Sequence, residues 1–106
     1  MFTRQVTMKL KRNAAPELTL VIEQVIMPLL RKQPGFRDQL TLIAADRLDA
    51  VSYTFWASQA DAETYNRTTY PEELRAMMSV IEKNPRVQTF EVANSTFQQF
   101  ATAHAA

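Results

Sequence analysis

Apolar and polar residues alternate along residues 2–11, and the same period-two pattern returns at 36–46, 49–58 and 87–95. Between the first and second of these segments, and again between the third and fourth, apolar residues recur at helical spacing. Alternation with one apolar face marks a half-buried strand, whereas an i, i+3, i+4, i+7 stripe marks a helix. The resulting order, β-α-β-β-α-β, is that of the ferredoxin-like split βαβ unit. It predicts an α+β fold in which a four-stranded antiparallel sheet carries two helices on one face. A chain of 106 residues suits one such unit. No linker, repeat or low-complexity block interrupts it, so residues 1–106 read as a single domain.

Local signals support this order. In the first strand Phe2, Val6, Met8 and Leu10 share one face, with Arg4 as its polar exception. Pro16 and Glu17 suit a helix start, where a missing backbone donor is harmless and an acid meets the positive dipole end. Leu18, Val21, Ile22, Val25 and Leu29 follow, with Ile26 and Leu30 widening the stripe, and Pro28 is expected to break or kink this helix. Pro34-Gly35 ends it. Asp46-Arg47-Leu48-Asp49 is short enough for a hairpin. Ser58-x-x-Asp61 resembles a capping box opening the second helix. Tyr70-Pro71-Glu72-Glu73 restarts that helix, Leu74, Met77, Met78 and Ile81 form its stripe, and Asn84-Pro85 is its expected stop. The tail from Thr96, with Phe97 and Phe100, reads as a short helix or extended arm.

Composition removes much familiar chemistry. With no cysteine there are no disulfides, thiolate metal sites or thiol nucleophiles, and one glycine precludes glycine-rich phosphate loops. The one histidine, His104, lies in the C-terminal tail and suits an exposed position. No metal or cofactor is therefore expected. Twelve basic residues against eleven acidic ones leave a net charge of +1, with no global attraction for nucleic acid or anionic membranes. The first twelve residues are basic, and RNA-recognition motifs share the βαββαβ order. Yet the third strand, Asp49-Ala-Val-Ser-Tyr-Thr-Phe-Trp, lacks their glycines and basic lead residue. No apolar run approaches a membrane span, and the N-terminus lacks a signal-peptide block. A cytoplasmic protein is expected.

In the central hairpin, Val51, Tyr53 and Phe55 oppose Ser52, Thr54 and Trp56, while Leu40, Leu42 and Ala44 oppose Thr41, Ile43 and Ala45. Both faces carry apolar material, but two helices cover only one. A second copy packed through the sheet face would cover the other, so a homodimer is expected.

The strand end Phe55-Trp56-Ala57-Ser58, the Ala60-Asp61-Ala62-Glu63-x-Tyr65 helix start, Pro34-Gly35-Phe36 and Asn84-Pro85 carry a resemblance over about residues 2–97. They resemble the dimeric α/β-barrel superfamily and, within it, antibiotic-biosynthesis-monooxygenase-type domains. That superfamily includes cofactor-free quinone-forming oxygenases, haem-degrading enzymes and small proteins of unassigned function. The resemblance implies a pocket between sheet and helices in each subunit. Haem-degrading relatives need a histidine on the second helix; ten residues beyond Trp56 this chain has Asn66, which does not replace imidazole on iron.

The candidate site follows. Trp56 would form an aromatic wall of the pocket, or simply pack under a helix. Tyr65, Asn66 and Tyr70 would hold substrate oxygens and stabilise developing negative charge, or merely mark an amphipathic helix. Met77 and Met78 would line an adaptable apolar pocket, or belong to a core stripe. Glu17, Glu23, Glu72, Glu73 and Glu82 read as helix-start acids or solvated faces, and no general base is evident. The expected activity is cofactor-independent monooxygenation of a small aromatic or quinol-like compound. The alternative is a non-catalytic homodimer that binds a small hydrophobic ligand or acts as a scaffold.

Overall fold

The computed structural model describes residues 1–97. Four strands, β1 (Phe2–Lys9), β2 (Phe36–Ile43), β3 (Asp49–Trp56) and β4 (Arg86–Glu91), form one antiparallel sheet in the order β2-β3-β1-β4. The first helical stretch comprises α1 (Ala15–Val21), a wide π turn (Ile22–Ile26) and α2 (Met27–Arg31); the second comprises α3 (Gln59–Thr68) and α4 (Tyr70–Met77). This is the expected ferredoxin-like α+β arrangement. The core lies between the helices and one sheet face, where Val6, Met8, Ala50 and Trp56 meet Leu18, Ile22, Ile26, Leu30, Tyr65 and Met77.

The first helix bends its expected pattern without breaking. Pro28 lacks the N–H that an α-helix would direct back four residues, and its ring crowds that carbonyl. The chain widens just before it, with the Met27 N–H donating to the Ile22 carbonyl across five residues. The wide turn changes the phase of the helix. Leu18, Ile22, Ile26 and Leu30, spaced by four, are buried, while Val25 faces solvent at 39% exposure.

Strand ends fall earlier than the alternation suggests, each for a local reason. β2 stops at Ile43 because Ala44–Asp49 closes a turn, with Arg47 at φ 65° and the Asp46 carboxylate accepting from the Leu48 N–H at 3.0 Å. β3 stops at Trp56 because Ser58 is needed as the α3 cap, where its Oγ accepts from the Asp61 N–H. β4 stops at Glu91 because that residue pairs with Phe2, at the start of β1. The second helix ends at Met77, well before Asn84-Pro85. Residues 80–82 instead bond to the backbone of Lys9 and Lys11, and Ile81 bridges Leu10. Ile81 is thus buried from a bridge and not from a helix. Residues 92–97 have no regular structure; Phe100 and His104 lie outside the described residues.

Among the described residues, no element covers the far sheet face. Leu40, Leu42 and Phe90 are 43%, 51% and 46% exposed there, beside the stacked rings of Tyr53 and Phe55.

Gly35 makes the junction between the first helix and β2. Its φ of +78° favours glycine, and a Cβ would collide with the Asp61 carboxylate. Gly35→Ala should therefore destabilise the fold by about 1–3 kcal/mol, measured by urea unfolding. An unchanged midpoint would show that neither the strain nor the clash matters.

Candidate active site

The site grows from the polar exception on β1. Strand alternation places Arg4 on the helix-facing side with Val6 and Met8, and its side chain is only 2% exposed. A buried guanidinium needs partners. Arg4 lies 4.1 Å from the centre of the Tyr70 ring and 5.1 Å from that of Tyr65, and its Nη2 donates to Asn66 Oδ1 at 2.6 Å. Cation–π attraction of this kind reaches about 2 kcal/mol when desolvated.

The helix side supplies an acid. Tyr70, Glu73 and Met77, spaced by three and four, form the buried stripe of α4. Glu73 is 2% exposed, and the Tyr65 hydroxyl donates to its Oε1 at 2.5 Å. Burial pushes the Glu73 carboxyl up to about 7, opposed by the Tyr65 hydrogen bond and the Arg4 charge. Burial also raises the Tyr65 phenol, reinforced by Glu73, so Tyr65 remains a donor at neutral pH. Tyr70 is raised by burial too, with Arg4 pulling the other way.

Between the sheet and the helices these groups border a cavity of about 20 Å³, closed elsewhere by side chains such as Ile22, Ile26 and Leu30. That is room for about one water molecule. Three buried atoms on its lining residues, Arg4 Nη1, Tyr70 Oη and Glu73 Oε2, lack a well-formed hydrogen bond. Such groups are rare in folded proteins because desolvation without a partner costs about 1–3 kcal/mol each. Among the described residues, no group of three or more His, Asp or Glu side chains could hold a metal ion. No helix there is long and apolar enough to cross a membrane.

Most of the sequence-derived candidates converge here, in differing capacities. Tyr65, Tyr70 and Met77 line the cavity. Asn66 touches it only through Arg4. Trp56 does not line it: the indole is fully buried behind Tyr65, at 4.7 Å between ring centres, and its N–H donates to Thr54 Oγ1. It packs under the helix and braces a site residue. Met78 is 43% exposed and outside the cavity, because one residue beyond Met77 a helix has turned about 100° away. Arg4 and Glu73 are the residues that pattern reasoning passed over. The break in β1 alternation marked the first, and the i, i+3, i+7 spacing from Tyr70 through Glu73 to Met77 could have found the second.

No family model matches the chain, and no curated protein matches it in sequence. Solved structures do match in shape. SnoaB from Streptomyces nogalater, described as a cofactor-independent oxygenase, superposes with a TM-score of 0.75 at 14% identity, covering 92% of this chain and 97% of that one. The ActVA-Orf6 monooxygenase of Streptomyces coelicolor, solved with the ligand nanaomycin D, gives 0.74 at 19% identity over 89% and 88%. The chain shares the ferredoxin-like α+β fold of these monooxygenase structures. A protein of unknown function from Nitrosomonas europaea gives 0.75 at 14% identity over 89% and 90%, so this monooxygenase-type fold is not confined to proteins with a described activity.

The Glu73 shift has a thermodynamic consequence. Between the ordinary value of 4.5 and about 7 the folded chain holds a proton that the unfolded chain has released. The stability associated with that proton is complete below pH 4.5 and is lost as pH rises through 7, to the extent of roughly 3 kcal/mol. In urea unfolding between pH 5 and pH 8, Glu73→Gln should lose much less stability than the wild type. An equally steep loss in the variant would place the proton elsewhere.

Proposed function

We propose that the chain is a cofactor-independent monooxygenase acting on a small aromatic or quinol-like compound bound between the sheet and the helices. The observation that carries this is the set of three buried polar atoms without well-formed hydrogen bonds, on Arg4, Tyr70 and Glu73, around a mainly apolar cavity. A donor pair and a carboxyl so placed match a ligand whose oxygen accepts two hydrogen bonds and gives up a proton. Two structural neighbours are described as oxygenases, one of them with a bound ligand.

The chemistry can be written for a phenolic ring bearing a benzylic CH₂. Glu73, with a value near neutrality, takes a proton from the substrate. Arg4 and Tyr70 stabilise the resulting enolate oxygen in a site that excludes bulk water. The electron-rich carbon then combines with molecular oxygen to give a peroxide anion, which takes the proton back from Glu73 and becomes the hydroperoxide. Glu73 next removes the second proton from the same carbon; the C–H electron pair forms the C=O bond as the O–O bond breaks, and the departing hydroxide takes that proton from Glu73 and leaves as water. One oxygen atom stays in the product, the other goes to water, and the substrate supplies all the electrons. Tyr65 orients the carboxyl, Asn66 holds Arg4, Trp56 braces Tyr65, and Met77 contributes to the apolar wall. A 20 Å³ space is far below the roughly 300 Å³ of a ligand pocket, so binding must displace side chains.

The apolar residues on the far sheet face support pairing with a second copy, completing a two-sheet barrel in a cytoplasmic homodimer. Light scattering at micromolar concentration should give twice the 12.1 kDa chain mass, and a monomer would overturn this part.

Oxygen uptake with a panel of hydroquinones and anthrones tests the activity. Turnover should rise through an inflection near pH 7, and Glu73→Gln should lower kcat about 10²–10⁴-fold and remove that inflection. Consumption no faster than buffer with every compound would sink the oxygenase proposal and leave the ligand-binding dimer.

A further inference from the structure

A second cleft, of about 120 Å³, opens between β4 and α3 on the other side of Arg4. Its apolar floor is made by Phe2, Ala62 and Val87, while Gln59 and Glu63, hydrogen-bonded to each other, and Thr89 form its rim. Among the described residues, Arg4 alone lines both this cleft and the buried cavity. Asn66, which accepts from Arg4 at 2.6 Å, lines only the outer cleft and is itself exposed. A solvent-facing amide thus holds a buried guanidinium across the boundary between two spaces.

We propose that this outer cleft is the entrance to the buried site and that the Arg4–Asn66 hydrogen bond is its door. The inference rests on the small-ligand reading of that site. A ligand opens the door by exchange: an oxygen on the incoming ring replaces Asn66 Oδ1 as the acceptor for Arg4, and the guanidinium swings inward with it. The cleft therefore selects flat aromatic molecules led by a hydroxyl or carbonyl oxygen, and refuses hydrocarbons of the same shape. Asn66 is a positioning residue that acts through Arg4. A groove beside the β2 edge also borders the cavity, but meets it at Ile22, a buried aliphatic side chain with no bond to exchange.

Trp56, the chain's one tryptophan, is buried 4.7 Å from Tyr65 and reports on arrivals. Stopped-flow quenching of its fluorescence by 1-naphthol measures association directly and needs no turnover. Asn66→Ala should speed association about tenfold, and Asn66→Asp, which makes the door an ion pair, should slow it about tenfold, since one hydrogen bond is worth about that factor. A purely structural role would move both variants the same way. Thr89→Phe, which fills the outer cleft without adding a second tryptophan, should slow association and dissociation together and leave Kd within about twofold, whereas Thr41→Phe, in the β2 groove, should change neither. Naphthalene should not quench. Equal rates in all the variants, or slowing by Thr41→Phe alone, would overturn the door. Absence of quenching by 1-naphthol in every protein would instead overturn the ligand site on which it rests.

Discussion

A cation buried on the apolar side of the sheet sets the terms for everything near it. Arg4 takes a strand position that alternation assigns to the core, between Phe2 and Val6, and it is 2% exposed. Its charge must be met by faces and lone pairs supplied from the helices. Two tyrosine rings and an asparagine amide do this, and they restrict α3 and the start of α4 to residues that present π-electrons or a carbonyl oxygen. Replacing the whole arrangement by aliphatic residues is often neutral or stabilising in other buried ion and polar clusters, whereas removing one member leaves the rest unsatisfied. The stability of the fold therefore does not by itself account for the cluster.

The architecture was legible because it depends on periodicity and punctuation. The alternation at 2–11, the Pro34-Gly35 junction and the Ser58 cap each translate into an element or its boundary through local physics. The ends of β4 and of the second helix were not legible in the same way. Both are decided by pairing between distant segments: Glu91 with Phe2 at the start of β1, and residues 80–82 with Lys9 and Lys11.

The site divides along similar lines. Tyr65, Tyr70 and Met77 could be named because aromatic and apolar residues at helical spacing announce a buried face. Glu73 shares that spacing but reads as a solvated partner of the dipole, because an acid in the first turn of a helix ordinarily is one. Only the opposing sheet, closing over Tyr70 and Met77, turns that acid inward and lifts its proton affinity. Trp56 shows the converse. A large aromatic at a strand end suggests a binding wall, yet its indole N–H finds Thr54 two residues away on its own strand, which makes full burial affordable.

The wide turn at Ile22–Ile26 has a geometric effect on the cavity. In a regular α-helix, positions four apart drift around the axis by about 40° at each step, so a row of every fourth residue spirals off its target. A turn that advances less per residue drifts the opposite way and cancels part of that spiral. Ile22, Ile26 and Leu30 consequently stay in line above one cavity. The size of molecule this wall admits is therefore governed by a residue count as well as by residue identity. Deleting a single residue within the turn would rotate one half of the wall away from the other and re-gauge the chamber, with every polar group left in place.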